Sequence, residues 1–154
     1  MNIERIIKES FSVIGKMGST EDGEDFISAL WAEANANFSE IAHLAKFGED
    51  GSLTGIWGAM SDFSLSFLPW ENDFSNGLYL AGIECADEAD PPEGWVKWTL
   101  PGFEYLRIEN SGPGVFMEMI QYMKDNAINL DGAVQDFTDP QTGEAFMLFP
   151  IRRL

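Results

Sequence analysis

The side chains that could carry chemistry in this 154-residue chain are mainly carboxylates and aromatic rings. Cys85 is the only cysteine, which excludes an internal disulfide and a cysteine-rich zinc site. His43 is the only histidine, so a histidine-based metal cluster is excluded, and a Ser-His-Asp triad would have to use it. Its helical spacing to Ile41 and Leu44 indicates a structural position instead. The sequence therefore predicts no metal and no cofactor.

The aromatic content is unusually large, with twelve Phe, five Trp and three Tyr. A cation over the face of such a ring gains roughly 0.5–2 kcal/mol, although the same rings also serve as ordinary core. Trp95 and Trp98 are three residues apart, so at most one faces inward on a regular strand, and Trp70 could cover a pocket or only the surface. The candidate ligand-binding aromatic residues are Trp31, Trp57, Tyr79, Trp98, Tyr105 and Phe137.

The charge balance limits the classes of partner. Asp and Glu number 26 against 9 Lys and Arg, which gives a net charge of −17. Phosphate backbones and anionic membranes would repel such a chain, so direct nucleic-acid binding and membrane binding are excluded, whereas cationic partners are favoured. The N-terminus lacks the pattern of a signal peptide, and no apolar run approaches the roughly 20 residues of a membrane span. We expect a cytoplasmic protein.

Hydrophobic periodicity supplies the elements that must position these side chains. Apolar residues at steps of three and four predict one helix over residues 27–45 and a second helix after Pro113, with an apolar stripe from Phe116 to Ala127. Alternating or continuous apolar runs predict strands over residues 9–17, 53–61, 78–86, 95–100, 103–110, 133–138 and 145–152.

The elements repeat as strand, helix, strand, strand, beginning at Phe11 and again at Phe103. Two such units would pair into one sheet, mainly antiparallel, with both helices on one side and a pseudo-twofold axis between the units. The predicted fold class is therefore α+β, as one domain over residues 1–154 with halves at about 9–87 and 95–154. A groove along the pseudo-axis, between the helices, is the expected pocket.

Local strings add a resemblance that spans nearly the whole chain. They are FSVIG at 11–15, ISALW at 27–31, GLYLAGIE at 77–84, LPGFEYLRIENSG at 100–112 and FPIRRL at 149–154. In order and spacing they resemble the GyrI-like small-molecule-binding domain, which is also the effector-binding domain of bacterial multidrug-responsive transcription activators. The resemblance implies an aromatic pocket for lipophilic, often cationic, compounds, with an acidic side chain near its centre.

The resemblance also suggests which carboxylate has that role. The segment 134–138 matches the family's acid-aromatic-Tyr string, with Asp136 at the acid, Phe137 beside it, and Thr138 where Tyr is usual. Asp is one methylene shorter than the usual Glu, so three other carboxylates stay open as alternatives. They are Glu84, Glu104 and Glu33.

Three functions follow as hypotheses from the resemblance and the charge. The first is a stand-alone effector-binding or sequestering protein for a lipophilic, cationic and aromatic small molecule. The second is a hydrolase of strained cyclopropane-containing electrophiles, in which Asp136 or Glu104 would orient water and Tyr79 or Tyr105 would polarise the substrate. The third is an acidic module that binds a protein partner.

Overall fold

The computed structural model describes residues 2–154, in which eight strands form one curved sheet with helices packed on it. The strands are β1 (Glu4–Lys8), β2 (Phe11–Ser19), β3 (Ile56–Ser61), β4 (Leu78–Cys85), β5 (Val96–Leu100), β6 (Phe103–Glu109), β7 (Gln135–Thr138) and β8 (Ala145–Arg153). The helices are α1 (Phe26–Ala36), α2 (Glu71–Phe74) and α3 (Val115–Asp125). None of the helices within residues 2–154 is long and apolar enough to span a lipid bilayer.

The strand order is β1-β6-β8-β7-β3-β4-β2-β5, and every neighbouring pair is antiparallel. One unit, β2-α1-β3-β4, meets a second unit, β6-α3-β7-β8, at the central β3–β7 pair. The predicted α+β fold with duplicated strand-helix-strand-strand units is therefore confirmed. The two edge strands are exchanged, because β1 pairs with the second unit and β5 with the first.

Both long helices lie on the same face of the sheet, which we call the helix face. Ile83, which belongs to the cluster under α1, is in register with Ile56 on β3. Gly58 follows Ile56 by two residues on β3 and is in register with Asp136 on β7. Asp136 is in turn in register with Met147 on β8, which packs in the cluster under α3. Because side chains two residues apart on a strand share a face, this path links the two helices across one surface.

The opposite, inner face is enclosed by the curvature of the sheet. Residues 9–10 link β1 to β2, and residues 101–102 link β5 to β6. In each case one strand lies at or next to one edge of the sheet and the other at or next to the opposite edge. The links touch, because a Cβ added to Gly102 would lie 3.1 Å from Ser10 N. At the bend between β2 and β4, Gly15 and Gly82 are in register, and a Cβ on either would overlap the backbone of the other strand. Glycine at both positions therefore permits the close approach that curves the sheet.

Two elements differ from the sequence prediction. The helix predicted over residues 27–45 ends at Ala36, and separate 3-10 turns follow at Phe38–Glu40 and Ala42–Leu44. The helix ends at Asn37, whose backbone leaves the helical region (φ −116°, ψ 17°) and whose side-chain amide donates to the Glu33 carbonyl at 2.9 Å. Strand β1 was not predicted, because its residues are largely exposed and it forms only by pairing with β6, about a hundred residues away in register.

Candidate ligand-binding groove

On the helix face, the stretch of sheet between α1 and α3, here called the groove, carries Asp136 between two cavities whose linings do not include it. Asp136 projects from β7 onto the helix face, opposite Gly58 on β3. Within residues 2–154 its carboxylate has neither a hydrogen-bond donor nor a cation as partner, and the side chain keeps partial contact with solvent. Burial raises the pKa of this carboxyl group to about 6, because the surrounding protein solvates the charged form poorly. The groove therefore holds a desolvated acid that can be reached from outside.

Tyr79 and Trp31 form a polar pair beside this acid. The Tyr79 hydroxyl accepts a hydrogen bond from Trp31 Nε1 at 3.0 Å, and Tyr79 is almost completely buried. Burial and, secondarily, the charge of Asp136 raise the pKa of Tyr79, so the phenol stays protonated. No acceptor for the hydroxyl proton is present among the described residues, which leaves Tyr79 able to donate to a ligand.

Gly58 makes room for this arrangement. A Cβ at Gly58 would overlap the Tyr79 hydroxyl and would lie 3.2 Å from Asp136 Cβ. Tyr79 and Asp136 therefore border the same small space above the central β3–β7 pair. Glycine at this position brings a phenol and a carboxyl group together at the pseudo-axis.

Apolar cavities flank this polar centre in both directions along the central strands. On one side, Met60 and Val134 form the floor of a 210 Å³ cavity. Met60 is two residues from Gly58, and Val134 is two residues from Asp136. On the other side Trp31 and Ile56 line a 180 Å³ cavity. The first cavity is completed by Pro69, Trp70, Phe74 and Phe116, and the second by Ala34, Asn35, Phe38, Ile41, Leu53, Gly82, Ile83 and Trp95.

Structural comparison places this architecture among solved proteins. SAV2435 bound to tetraphenylphosphonium matches with a TM-score of 0.68 at 15% identity, over 99% of this chain and 94% of that chain. The EcmrR C-terminal domain matches with a TM-score of 0.64 at 10% identity, over 99% and 98%. The fold is the GyrI-like fold. In the EcmrR–DNA complex, the match covers 58% of the EcmrR chain.

One further structural match and two sequence comparisons complete the picture of this GyrI-like fold. A hydrolase from Listeria innocua matches with a TM-score of 0.53 at 14% identity, over 97% of this chain and 91% of that chain. No protein-family model matches the chain, and no curated protein matches it. At these identities the likeness extends to the fold, so the assignment of the site depends on the residues themselves.

The GyrI-like fold separates the seven residues that the sequence proposed for one pocket. Trp31, Tyr79 and Asp136 meet at the groove on the helix face. The other four lie on the inner face, where Trp57, Trp98 and Tyr105 are 2%, 4% and 0% exposed and Phe137 packs against Trp57. The reason is strand alternation, since Phe137 follows Asp136 directly and must point to the opposite face. The structure does not bring these four residues to the groove.

The three alternative carboxylates also lie elsewhere. Glu33 is exposed on α1 and pairs with Lys16 at 3.4 Å. Glu104 on β6 pairs with Arg152 on β8 at 3.4 Å. Glu84 points to the inner face, where Lys8 lies 3.3 Å from it. Of the four carboxylates considered from the sequence, Asp136 is the one that the GyrI-like fold places in the groove.

Two further residues line the first cavity: Phe116, which the sequence did not assign to a pocket, and Trp70, which the sequence left open as a pocket cover or a surface residue. Trp70 lies against Gly77 and donates from Nε1 to the Leu78 carbonyl at 3.0 Å, which holds its ring as a wall of the first cavity. Phe116 begins the apolar stripe of α3 and packs edge-on against Phe74. The spacing of Phe116 predicted a core position, and the irregular segment around Trp70 gave no periodic signal.

A metal site is not supported by the part of the chain that the structure covers. Among residues 2–154, no three His, Cys, Asp or Glu side chains come together as metal ligands would. Cys85 is buried, and burial raises the pKa of its thiol to about 11, so it is a poor nucleophile. The chemistry of the groove is therefore limited to a carboxyl group, a phenol and aromatic surfaces.

Proposed function

We propose that the groove binds lipophilic organic cations, and that the chain acts as an effector-binding or sequestering module for them. The observation that carries the proposal is the unpaired carboxylate of Asp136 between two apolar cavities. A perturbed acid in a cleft is a candidate functional group, since active and binding sites are where burial is arranged to shift pKa values.

Electrostatics explain why a cation would be preferred. A carboxylate that is desolvated without a partner is unfavourable, and an opposite charge within about 4–6 Å relieves that penalty. A bound cation would therefore lower the pKa of Asp136 and fix it in the charged form. An anion would be repelled by Asp136, and also by the net charge of −17 carried by the whole chain.

The shape of the groove favours a ligand with apolar groups around its charge. The cavities of 210 and 180 Å³ are separate and each is smaller than a typical ligand pocket, so a ligand over Asp136 would place one apolar group in each. Trp31 and Trp70 offer aromatic surface on either side of the acid, and a cation over such a ring gains further attraction. SAV2435, which has the same fold, binds tetraphenylphosphonium, a cation surrounded by phenyl groups. This neighbour supports the proposal by analogy.

Titration calorimetry with tetraphenylphosphonium tests the proposal, with neutral triphenylphosphine oxide as the matched uncharged compound. We expect the cation to bind and Asp136→Asn to weaken it at least about tenfold. Glu33→Gln, which removes an exposed negative charge on α1, is expected to change affinity less than about twofold. Equal affinity for the neutral compound, or unchanged affinity in Asp136→Asn, would overturn the proposal.

The same binding should depend on pH. Because the pKa of Asp136 is about 6, the carboxyl group is mostly protonated at pH 5 and mostly charged at pH 7. Affinity for the cation is therefore expected to fall several-fold, up to about tenfold, between pH 7 and pH 5. In Asp136→Asn this pH dependence should be absent.

A hydrolytic reaction is the second candidate, favoured by the free hydroxyl proton of Tyr79 beside an acid of raised pKa. In this scheme Asp136 accepts a proton from water as the water attacks a strained electrophile, and Tyr79 donates to the substrate carbonyl. Mass spectrometry in ¹⁸O-water with a cyclopropane-containing alkylating agent separates the two functions. Enzymatic label uptake that both Asp136→Asn and Tyr79→Phe abolish would favour hydrolysis, and its absence would favour binding alone.

A further inference from the structure

The two cavities of the groove occupy equivalent places in the two units of the fold. The units begin at Phe11 and Phe103, and the third residue after each of these begins a row of neighbouring apolar side chains under the helix of its own unit. The rows are Ile14, Ile83 and Ile56 in the first unit and Leu106, Phe149 and Val134 in the second. Each row ends at a cavity, because Ile56 lines the second cavity and Val134 lines the first.

Asp136 lies midway between the ends of the two rows. Ile56 is two residues before Gly58, Val134 is two residues before Asp136, and Gly58 and Asp136 are in register at the seam between the units. Because this pair of strands is antiparallel, the two cavities lie in opposite directions from the seam. An extended chain rises about 3.3 Å per residue, so each cavity floor lies about 6–7 Å from the seam. The groove therefore has one acid at its centre and one apolar cavity on each side.

The cavity walls offer apolar surface with few free polar groups. Three tryptophans line the cavities, and each already donates its ring N–H within the chain. The acceptors are the Tyr79 hydroxyl for Trp31, the Leu78 carbonyl for Trp70 and the Glu40 carboxylate for Trp95. Asn35, which is exposed, supplies the only amide side chain in the described linings. Groups that enter the cavities are therefore recognised by apolar and aromatic contact.

A cation of the chain itself restricts the second cavity to an uncharged group. Lys16 is almost completely buried, and its Nζ lies 4.3 Å from the centre of the Trp95 ring. Trp95 lines the second cavity, so a cationic group placed there would meet a like charge. The positive charge of a ligand is therefore favoured at Asp136 and disfavoured in the second cavity.

We propose that the groove selects cations that carry a single central charge and two uncharged aryl arms, one arm for each cavity. This inference rests on the cation-binding function proposed above and adds the shape of the ligand to it. Arms on opposite sides of a nitrogen would enter the two cavities together, with the nitrogen over Asp136. A cation with one arm would fill one cavity and leave the other to water. Once the first arm is bound, the second arm binds at a high effective concentration.

Bis(ω-phenylalkyl)dimethylammonium ions are the probes, compared by calorimetry on the whole chain at pH 7 with ω-phenylalkyltrimethylammonium ions of equal arm length. A linker of about three methylene groups places a phenyl ring about 6–7 Å from the nitrogen, so we expect the highest affinity near this length. There the two-armed ion should bind at least about tenfold more tightly than the one-armed ion, and it should displace tetraphenylphosphonium. Aminomethyl groups on both rings, which are charged at pH 7, should remove the gain.

Tryptophan substitutions on β3 test the two cavities separately. Met60→Trp fills the first cavity and Ile56→Trp fills the second, each from a floor position that is half-buried in the unmodified chain. Each variant should weaken the optimal two-armed ion at least about fivefold. Each should change the affinity of the one-armed ion less than about twofold, because its arm can still use the open cavity. Met117→Trp, at an exposed position on α3, is the control and should change neither affinity.

Methyl NMR of the unmodified chain keeps the proposal testable if either variant does not fold. The aryl protons of the bound two-armed ion should show nuclear Overhauser contacts to the methyl groups of both Ile56 and Met60. Contacts to only one of them, affinity that rises steadily with arm length, or a two-armed gain below about twofold would overturn the proposal. In each of these cases, tetraphenylphosphonium binding that depends on Asp136 would still support the cation-binding function. Absence of any cation binding would overturn both.

Discussion

Asp136 and Glu84 are buried carboxylates on the two faces of the same sheet, and the chain treats them in opposite ways. Glu84, on the inner face, has Lys8, Lys46 and Trp57 as partners. Asp136, on the helix face, has none, although its surroundings raise its pKa to about 6. The chain compensates one buried acid, at Glu84, and leaves the other, Asp136, without a partner, and this difference is the basis of the ligand-binding role proposed for Asp136.

The comparison separates stability from binding. A compensated acid contributes to the folded structure, and removing it leaves its cationic partners without an opposite charge. An uncompensated acid weakens the folded state until something binds it, so removing it should strengthen the fold and weaken binding. Substitutions at the two sites should therefore have opposite effects on the free energy of unfolding.

The largest effect is expected for Glu84→Gln. The amide can still accept from Trp57, but Lys8 and Lys46 lose their charge partner, so we expect the free energy of unfolding to fall by about 3 kcal/mol. Urea denaturation at pH 7 measures it. Lys46→Met serves as a milder comparison, because Lys46 is more exposed and more distant. A loss in Glu84→Gln no larger than that in Lys46→Met would contradict a structural role for the acid.

Gly58→Ala tests the space shared by Tyr79 and Asp136. The added Cβ would overlap the Tyr79 hydroxyl, and Tyr79 is too buried to move freely. We expect a loss of about 2 kcal/mol in the free energy of unfolding, typical of overpacking, together with weaker tetraphenylphosphonium binding. Gly112→Ala is the control, because a Cβ there meets open space. Equal stability of the two variants would show that the centre of the groove is looser than described.

Asp136→Asn should increase stability at neutral pH. The pKa of Asp136 is about 6 in the folded chain and near 3.9 when unfolded, so the folded state holds the proton to higher pH. The contribution of the acid to stability is therefore greatest below pH 4 and is lost between about pH 4 and pH 6. We expect the variant to exceed the unmodified chain by about 1–2 kcal/mol at pH 7, after allowance for partial exposure, and by nothing at pH 4.

Denaturation curves at the two pH values measure this difference. A variant that is less stable at pH 7, or one whose advantage does not depend on pH, would remove the contrast between the two acids. Saturating tetraphenylphosphonium should narrow the difference by at least about 1.4 kcal/mol, because an affinity about tenfold higher stabilises the chain that retains the acid more strongly.

Tyr79→Phe should have the smallest effect. It removes the acceptor of the Trp31 Nε1 hydrogen bond, which is worth about 1 kcal/mol to the free energy of unfolding. Cation binding should fall only a few-fold, because Asp136 stays in place. Tyr122→Phe, on the partly exposed face of α3, is the control and should change neither quantity measurably. A Tyr79→Phe effect on binding larger than that of Asp136→Asn would assign the main role to the phenol.

Much of the fold could be predicted from the sequence, because its signals are local. The stripe of α3 and the glycine-containing loops marked the two units, and their repetition gave the layout of the sheet. Strand β1 could not be found in this way, since it has few buried side chains and depends on β6. The end of α1 at Ala36 was hidden because Phe38, in the first 3-10 turn, and Ile41, between the two turns, continue the helical spacing.

The site was predictable only in part. The matched string suggested Asp136 and aromatic type suggested Trp31 and Tyr79, and the structure brings these three residues together. Residue type could not assign Trp57 or Tyr105 to a face of the sheet, because that depends on the register between strands. Trp70 and Phe116 meet only when the segment before β4 and the helix α3 fold onto one floor, which no local pattern records.

The exchanged edge strands make each half of the chain incomplete by itself. A cut in the connection at 86–95 would leave β1 and β2 on the first piece and β5 and β6 on the second. Strand β1 would then be separated from its partner β6, and β2 from its partner β5. Neither piece could saturate its own hydrogen bonds, yet mixing them would offer each the strand that it lacks. Since the floor of the groove is the seam between β3 and β7, fragment complementation would rebuild the binding site only when both pieces join.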